Sequence, residues 1–402
     1  MTTTTLDAGR RGHRASARRL AVLLALCLAG CSGGVDSGGT GSEPASYASG
    51  PITGFGSVIV GGVHYDDRSA SVTDADGGVH SRDDLKLGMM TEILGGVVLT
   101  DTDGASAGTA QSIVYGSAVV GPVASIDLAA GTLVVLGQVI TVTSSTVFDD
   151  ATLGGGLASL AVGDLVEVYA LAGTAPHGQL ATRIERRNTV PAYVLRAVVG
   201  RLDPVARRFD LGGLSVSYAA LGGTGEVPVE GQFLRVQLQP APVAGVWQAA
   251  RLLSGGRQSG RHEDVRVEGL VTAYTSSVRF SVDGAPVDAS QAVFPDGTAG
   301  LTAGARVSVD GTAQGGSLMA TRVRVKSNAA VEAEGFQLDG LITHLDTVAQ
   351  TFTVRGVVTG YAGAVDFRGG TAADLAVGRR VEVKGVLSGG THLQAERIRI
   401  RP

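Results

Sequence analysis

A short apolar phrase with a glycine at its centre occurs five times, and its period limits what the chain can fold into. The copies are LKLGMMTEILG around Gly88, LAVGDLVEVYA around Gly163, EVPVEGQFLRV around Gly231, LTAGARVSVDG around Gly304 and LAVGRRVEVKG around Gly378. These glycines stand 68 to 75 residues apart. Each unit also opens near a glycine, at Gly54, Gly121, Gly200, Gly269 or Gly340, and closes on a similar stretch: GTAQSIVY, QLATRIERR, VWQAARLL, SLMATRVRV or HLQAERIRI. An opening, a centre and a close that recur in order mark one supersecondary unit copied in tandem. The expected repeats are 50–116, 117–190, 191–258, 262–327 and 332–402.

Within a unit the hydrophobic period is two, the period of a half-buried strand. In RRVEVKG, Val381 and Val383 face one way and Glu382 and Lys384 the other; in RIRI, Ile398 and Ile400 alternate with Arg397 and Arg399. Sixty glycines, with Asp-Gly turns between the apolar runs, favour strands joined by tight turns. About five strands per unit result, with at most one helical turn around residues 372–376. An open sheet of that size would leave two edges unpaired, so closure is expected. The predicted fold is all-β: a tandem array of five small OB-like or similar closed barrels. The repeated phrase is expected to mark the entry to the fourth strand of each.

The first 30 residues read as a targeting segment. Arg10, Arg11, Arg14, Arg18 and Arg19 form a basic n-region, and LAVLLALCLAG is too short for a permanent membrane span. Leu28-Ala29-Gly30-Cys31 resembles the lipobox of bacterial lipoproteins, which implies lipidation (a palmitate-type anchor) at Cys31 after removal of residues 1–30. An ordinary signal peptide is the competing reading, and the arginine pair before Leu20 also suggests twin-arginine export. Ser32 is not the aspartate that resembles an inner-membrane retention signal, so the expected address is the outer membrane of a Gram-negative cell, periplasmic or surface-exposed. Residues 31–49 are rich in Gly and Ser and read as a flexible tether. Cys27 and Cys31 are the two cysteines, so the expected mature body holds no free thiol for a disulfide, a zinc site or a nucleophile.

The stretch GPITGFGSVIVGGVHYDD followed by DLKLGMMTEILG is similar to the opening unit of bacterial lipoproteins with tandem copies of the domain of unknown function 5666 family. The resemblance covers about 50–400 and is strongest in repeats 1 and 5, with repeat 3 departing most. It implies a repeated β domain in an envelope lipoprotein and brings no established activity.

Motifs for chemistry are sparse. Residues 104–108 fit G-x-S-x-G around Ser106, but that motif needs a strand before the serine and a helix after it, and TDTDGASAG reads as a turn between strands. Asp74 and Asp76 in DADGG, with Asp101 and Asp103 in DTDG, are candidate calcium ligands. Neither stretch continues into a twelve-residue loop with a terminal glutamate, and Asp-Gly is also a hairpin turn. Convergence of the two tips, with Asp66 and Asp67 nearby, would be needed to hold one cation. His64, His80, His177, His262, His344 and His392 show no metal-binding spacing, although His64 and His80 share repeat 1 with these aspartates.

Charge is uneven. Residues 32–116 carry 11 acidic against 3 basic side chains, a net of −8, whereas 191–402 carry 19 against 22, a net of +3. Arg322, Arg324, Arg397 and Arg399 on the closing strands make either a basic stripe for acidic polymers or a solvated outer face. Aromatic content of 4% and the export signal argue against nucleic acid. The expected function is a non-catalytic, membrane-anchored scaffold rod that binds an envelope protein or a glycan; the alternative is an enzyme, or a glycan- or cation-binding protein, with its site in repeat 1 or between repeats.

Overall fold

The computed structural model describes Met1 and residues 46–102, 105–173, 178–222, 227–254 and 262–401. Cys31, Asp103 and His177 lie outside the described residues. The alternating pattern of repeat 5 becomes five main strands, Phe336–Asp346, Thr351–Val354, Val357–Gly360, Arg380–Ser388 and His392–Ile400. Val381, Val383 and Ile398 are fully buried and Ile400 nearly so, while Arg397 and Arg399 are exposed. The helical turn expected around residues 372–376 is a 3-10 turn at Ala372–Asp374, and a short α-helix, Asn328–Glu334, leads into the unit.

The first strand pairs antiparallel with the second, the second with the third, the third runs parallel to the fifth, and the fourth closes the ring between fifth and first. Repeats 1 to 4 repeat this closure strand for strand. The order 1-2-3-5-4-1 leaves no open edge in the five-stranded unit, which is the OB-type solution to a sheet too small to stay flat. Tandem closed barrels are therefore the architecture.

The repeated phrase has one structural job. Gly88, Gly163, Gly231, Gly304 and Gly378 all lie at φ between 78° and 91°, two positions before the first residue of the fourth strand. Each donates its N–H, at 2.8 Å, to a carbonyl on the first strand of its own barrel: Ile52, Val123, Val199, Val271 and Ile342. The N–H of that same first-strand residue returns a bond of 2.8–2.9 Å to the residue after the glycine. Two reciprocal bonds thus clamp the incoming fourth strand to the first, and a left-handed backbone is needed to aim the glycine N–H there. Counted from this clamp, the opening glycines are Gly50, Gly121, Gly269 and Gly340, with Ala197 in repeat 3. The expected openers Gly54 and Gly200 are out of register.

Two expectations are corrected. The tether does not reach residue 49, because the first strand of repeat 1 begins at Ser46. Its small residues pair with the fourth strand of repeat 1 on one side and, in parallel, with residues 264–267 of repeat 4 on the other. The repeats also do not extend as a rod. In a linear array each unit touches only its sequence neighbours, but the first strand of repeat 1 continues from repeat 4 to Gln337 and Leu338 of repeat 5. Glycine makes this approach possible: a Cβ on Gly54 would lie 2.3 Å from the Gln337 carbonyl oxygen. One continuous core holds residues of repeats 1 and 5 with Tyr169 and Leu171 of repeat 2 and Leu270 of repeat 4; a second joins repeats 2 and 3.

Candidate functional site

The acidic hairpin of repeat 1 points into a cleft of about 500 Å³ where repeats 1, 2 and 3 meet. Asp74 ends a short strand beside Tyr115, and the turn that follows folds back on its carboxylate. Oδ1 accepts the N–H groups of Asp76 at 2.9 Å and Gly78 at 2.8 Å, and Oδ2 lies 2.8 Å from His80 Nε2. Burial works to raise the Asp74 carboxyl, but the His80 hydrogen bond and the two N–H groups outweigh it and hold it below the ordinary carboxylate range. The His80 ring stands edge-on to Tyr115 at 5.2 Å. Burial, reinforced by Asp74 and Asp84, pushes the Tyr115 hydroxyl up to about 12.

The remaining candidate ligands are engaged elsewhere. Asp76 accepts from Arg235 of repeat 3 at 3.0 Å, and that nearly buried guanidinium also bonds the Ser117 carbonyl at 2.5 Å. Asp101 accepts the Ala105 N–H at 2.8 Å. Asp66 is held down at about 2 by Arg68, and Asp67 lies 3.7 Å from Arg82. The strand Ser106–Tyr115 carries the Asp74 hairpin at its Tyr115 end and the Asp101 turn at its Ser106 end. Nine residues at ~3.3 Å each separate the tips by roughly 30 Å. Convergence of Asp74 and Asp76 with Asp101 on one calcium ion is thereby corrected. Among the described residues, no group of three or more His, Cys, Asp or Glu side chains is placed to hold a metal. Ser106 opens a strand rather than a strand-to-helix elbow.

The histidines scatter. His64 lies 3.4 Å from Ser57, and burial, against the pull of Glu382, lowers its pKa. His392 lies 3.9 Å from Asp150 of repeat 2, and His262 stacks on Tyr47. The closing-strand arginines divide by repeat. In repeat 5, Arg397 bonds Asp366 at 3.0 Å and Arg399 lies 3.7 Å from Glu382. In repeat 4, Arg322 and Arg324 make no ion pair or side-chain hydrogen bond among the described residues, and both line a cleft of about 790 Å³ against repeat 1.

The ion pairs buried between repeats are what sequence reasoning missed. Arg183 of repeat 2 bonds Glu185 at 2.6 Å, Asp149 at 3.3 Å and the Leu87 carbonyl of repeat 1 at 3.2 Å, with Lys86 3.4 Å from Glu185. Glu268 of repeat 4 is fully enclosed beside Gly50 of repeat 1, taking Arg306 at 2.7 Å and Lys326 at 3.3 Å. Arg183, Glu185, Glu268 and Arg306 lie on strands and are buried.

The family described as Domain of unknown function (DUF5666) matches at residues 120–185, 268–324 and 339–399. These stretches are the barrels of repeats 2, 4 and 5; of the two repeats expected to resemble the family most, repeat 5 is matched and repeat 1 lies outside the matched residues. The first strand of repeat 1 pairs with strands of two other barrels. No curated protein matches the chain. The three matched stretches share their strand order and clamp with the two unmatched repeats, and the chain carries the DUF5666 domain in three tandem copies at those residues.

Proposed function

We propose that this protein is a membrane-anchored, non-catalytic lipoprotein of the Gram-negative outer envelope that acts as a binding scaffold, lipidated at Cys31. One observation carries the scaffold reading: charged side chains at the repeat junctions are consumed in holding barrels together. Arg235 ties repeat 3 to repeat 1, Arg183 ties repeat 2 to repeat 1, and Glu268 is enclosed where repeat 4 meets repeat 1. A platform locked in this way presents fixed outward faces to an envelope protein or a glycan, at low ordering cost on binding. The basic n-region and the LAGC stretch support the anchor. A second reading, a site between repeats, is favoured by the 500 Å³ cleft holding Asp74, His80 and Tyr115.

Cell fractionation tests the anchor. The wild-type chain is expected in the outer-membrane fraction with lipid mass on Cys31, and Cys31→Ala in the soluble envelope fraction. Membrane retention of Cys31→Ala, with no lipid on the wild type, would overturn it.

A further inference from the structure

We propose that the cleft between repeats 4 and 1 binds a carboxylate-bearing glycan, with Arg322 and Arg324 as its anion-holding groups. This deepens the scaffold reading and rests on it.

Repeats 4 and 5 are two copies of one barrel. In both, the fifth strand carries arginines two residues apart on its outward face, Arg322 and Arg324 in repeat 4 and Arg397 and Arg399 in repeat 5. The cross-strand register is the same: Asp310 faces Arg322 as Lys384 faces Arg397, and Ser308 faces Arg324 as Glu382 faces Arg399. On the other side, Val293 bridges to Arg322 where Asp366 pairs with Arg397. Repeat 5 thus supplies a carboxylate to each arginine, Asp366 to one and Glu382 to the other. Repeat 4 places Val293, 62% exposed, and Ser308 at those two positions. The carboxylates that repeat 5 sets at these two positions are absent while both arginines stay, and Asp310, though opposite Arg322 in register, makes no ion pair with it among the described residues.

The two unpaired guanidinium groups open onto the largest of the clefts described above, about 790 Å³, floored by repeat 4 and walled by the Gly61-Gly62 turn, Thr100 and Ser106 of repeat 1. Arg266 lines it too, and its Nε is buried without a hydrogen-bond partner in the structure. Arg322 and Arg324 sit about 7 Å apart along the strand, each offering a planar fork suited to a carboxylate. Asp264, Asp310 and Glu263 share the lining with Ser308 and Thr312. Those carboxylates oppose a densely charged polyphosphate backbone more than a chain with at most one charge per sugar, and they accept hydrogen bonds from its hydroxyl groups. A ligand that carries spaced carboxylates among many hydroxyls satisfies both halves of the cleft, and that is an acidic sugar chain.

The test titrates the purified full chain with an oligogalacturonate, a neutral oligogalactoside of equal length and a single-stranded DNA oligomer, by calorimetry at low and at moderate salt. Saturable binding of the oligogalacturonate that weakens with salt is expected, with neither other probe bound comparably. Arg322→Ser/Arg324→Ser is expected to weaken it at least about tenfold, since each arginine–carboxylate bond is a charged hydrogen bond. Val293→Asp/Ser308→Glu, which installs the repeat 5 partners, should do the same with every arginine in place, and Arg397→Ser/Arg399→Ser should change little. Absent binding, equal binding of the neutral sugar or DNA, or equal loss in the repeat 5 variant would overturn the proposal. Because fractionation of Cys31→Ala reads the anchor alone, failure of the two readings is distinguishable.

Discussion

The N–H of Gly378 donates to the carbonyl of Ile342 at 2.8 Å, and four other repeats make the same bond at the same length. The glycine sits at φ 85°, and a Cβ there would meet no atom within 4 Å. Replacing it is therefore a backbone problem and not one of space. Gly378→Val is expected to destabilise the chain by about 2 kcal/mol, the usual cost of forcing a β-branched residue into the left-handed region. Urea unfolding of the full chain checks this, with Thr347→Ala as the silent control. Thr371 would be a poor control, since its N–H and hydroxyl both bond Asp374 at 2.8–2.9 Å.

A second repeated relationship pairs the opening glycine with the turn between strands two and three. A Cβ on Gly121 would lie 2.8 Å from Leu136 Cγ, and one on Gly269 would lie 2.9 Å from Asp283 Oδ1. Leu136 and Asp283 each take the first position of a two-residue turn with φ near 47°, followed by Gly137 and Gly284. Repeat 3 exchanges the sizes, with Ala197 on the strand and Gly212 in the turn. Gly121→Ala is thus expected to destabilise by about 1–2 kcal/mol, and Gly121→Ala/Leu136→Gly to cost less than the sum of the single changes by about 1 kcal/mol. A double-mutant cycle on thermal or urea unfolding reads that coupling; additive costs would contradict the contact.

How much of this was legible in the sequence follows from which interactions are local. Val381, Val383, Ile398 and Ile400 announce their strands because burial inside one barrel imposes a period of two. Gly378 announces the fourth strand because only a backbone requirement keeps a glycine at one register. The site between barrels left no such trace. Arg183 reaches Leu87 across 96 positions of sequence, and Gly54 meets Gln337 across still more. The unpaired state of Arg322 is set by Val293, a residue with nothing unusual about it until the register places it opposite. The aspartate cluster misled for the opposite reason: Asp74 and Asp101 are near in sequence but stand at opposite ends of one extended strand.

Arg235 should behave as a rivet. Its guanidinium, nearly buried, holds the Asp76 carboxylate of repeat 1 and the Ser117 carbonyl at the start of repeat 2. Arg235→Ala strands a carbonyl and a partly exposed carboxylate, so a loss of about 2–3 kcal/mol is expected, against about 1 kcal/mol for Asp76→Asn, which retains a hydrogen-bonding oxygen. Hydrogen exchange should show the loss concentrated at the ends of 106–115 and 233–238 that meet there. Uniform loss across all five repeats would mean that the contact is not local.

Glu268 gives the pH dependence its sign. Burial alone would raise its carboxyl, but Arg306 and Lys326 overrule burial and leave it below its ordinary value. A carboxyl whose folded pKa is depressed contributes stability that is complete above the unfolded value, about 4.3, and that is lost as pH falls through the folded pKa. The Glu185 carboxyl, likewise lowered against burial by Arg183, Lys86 and Arg187, acts in the same window and direction. The chain should therefore hold its stability from neutral pH down to about 5 and lose it steeply below 4. Glu268→Gln should cost about 3 kcal/mol at pH 7, because Arg306 is left buried without a counter-charge. That cost should shrink as the pH is lowered, since the wild type then protonates the same group. Urea midpoints of both proteins between pH 3 and 7 test this, and a difference that stays constant or grows toward acid pH would show that Glu268 does not carry the charge assigned to it.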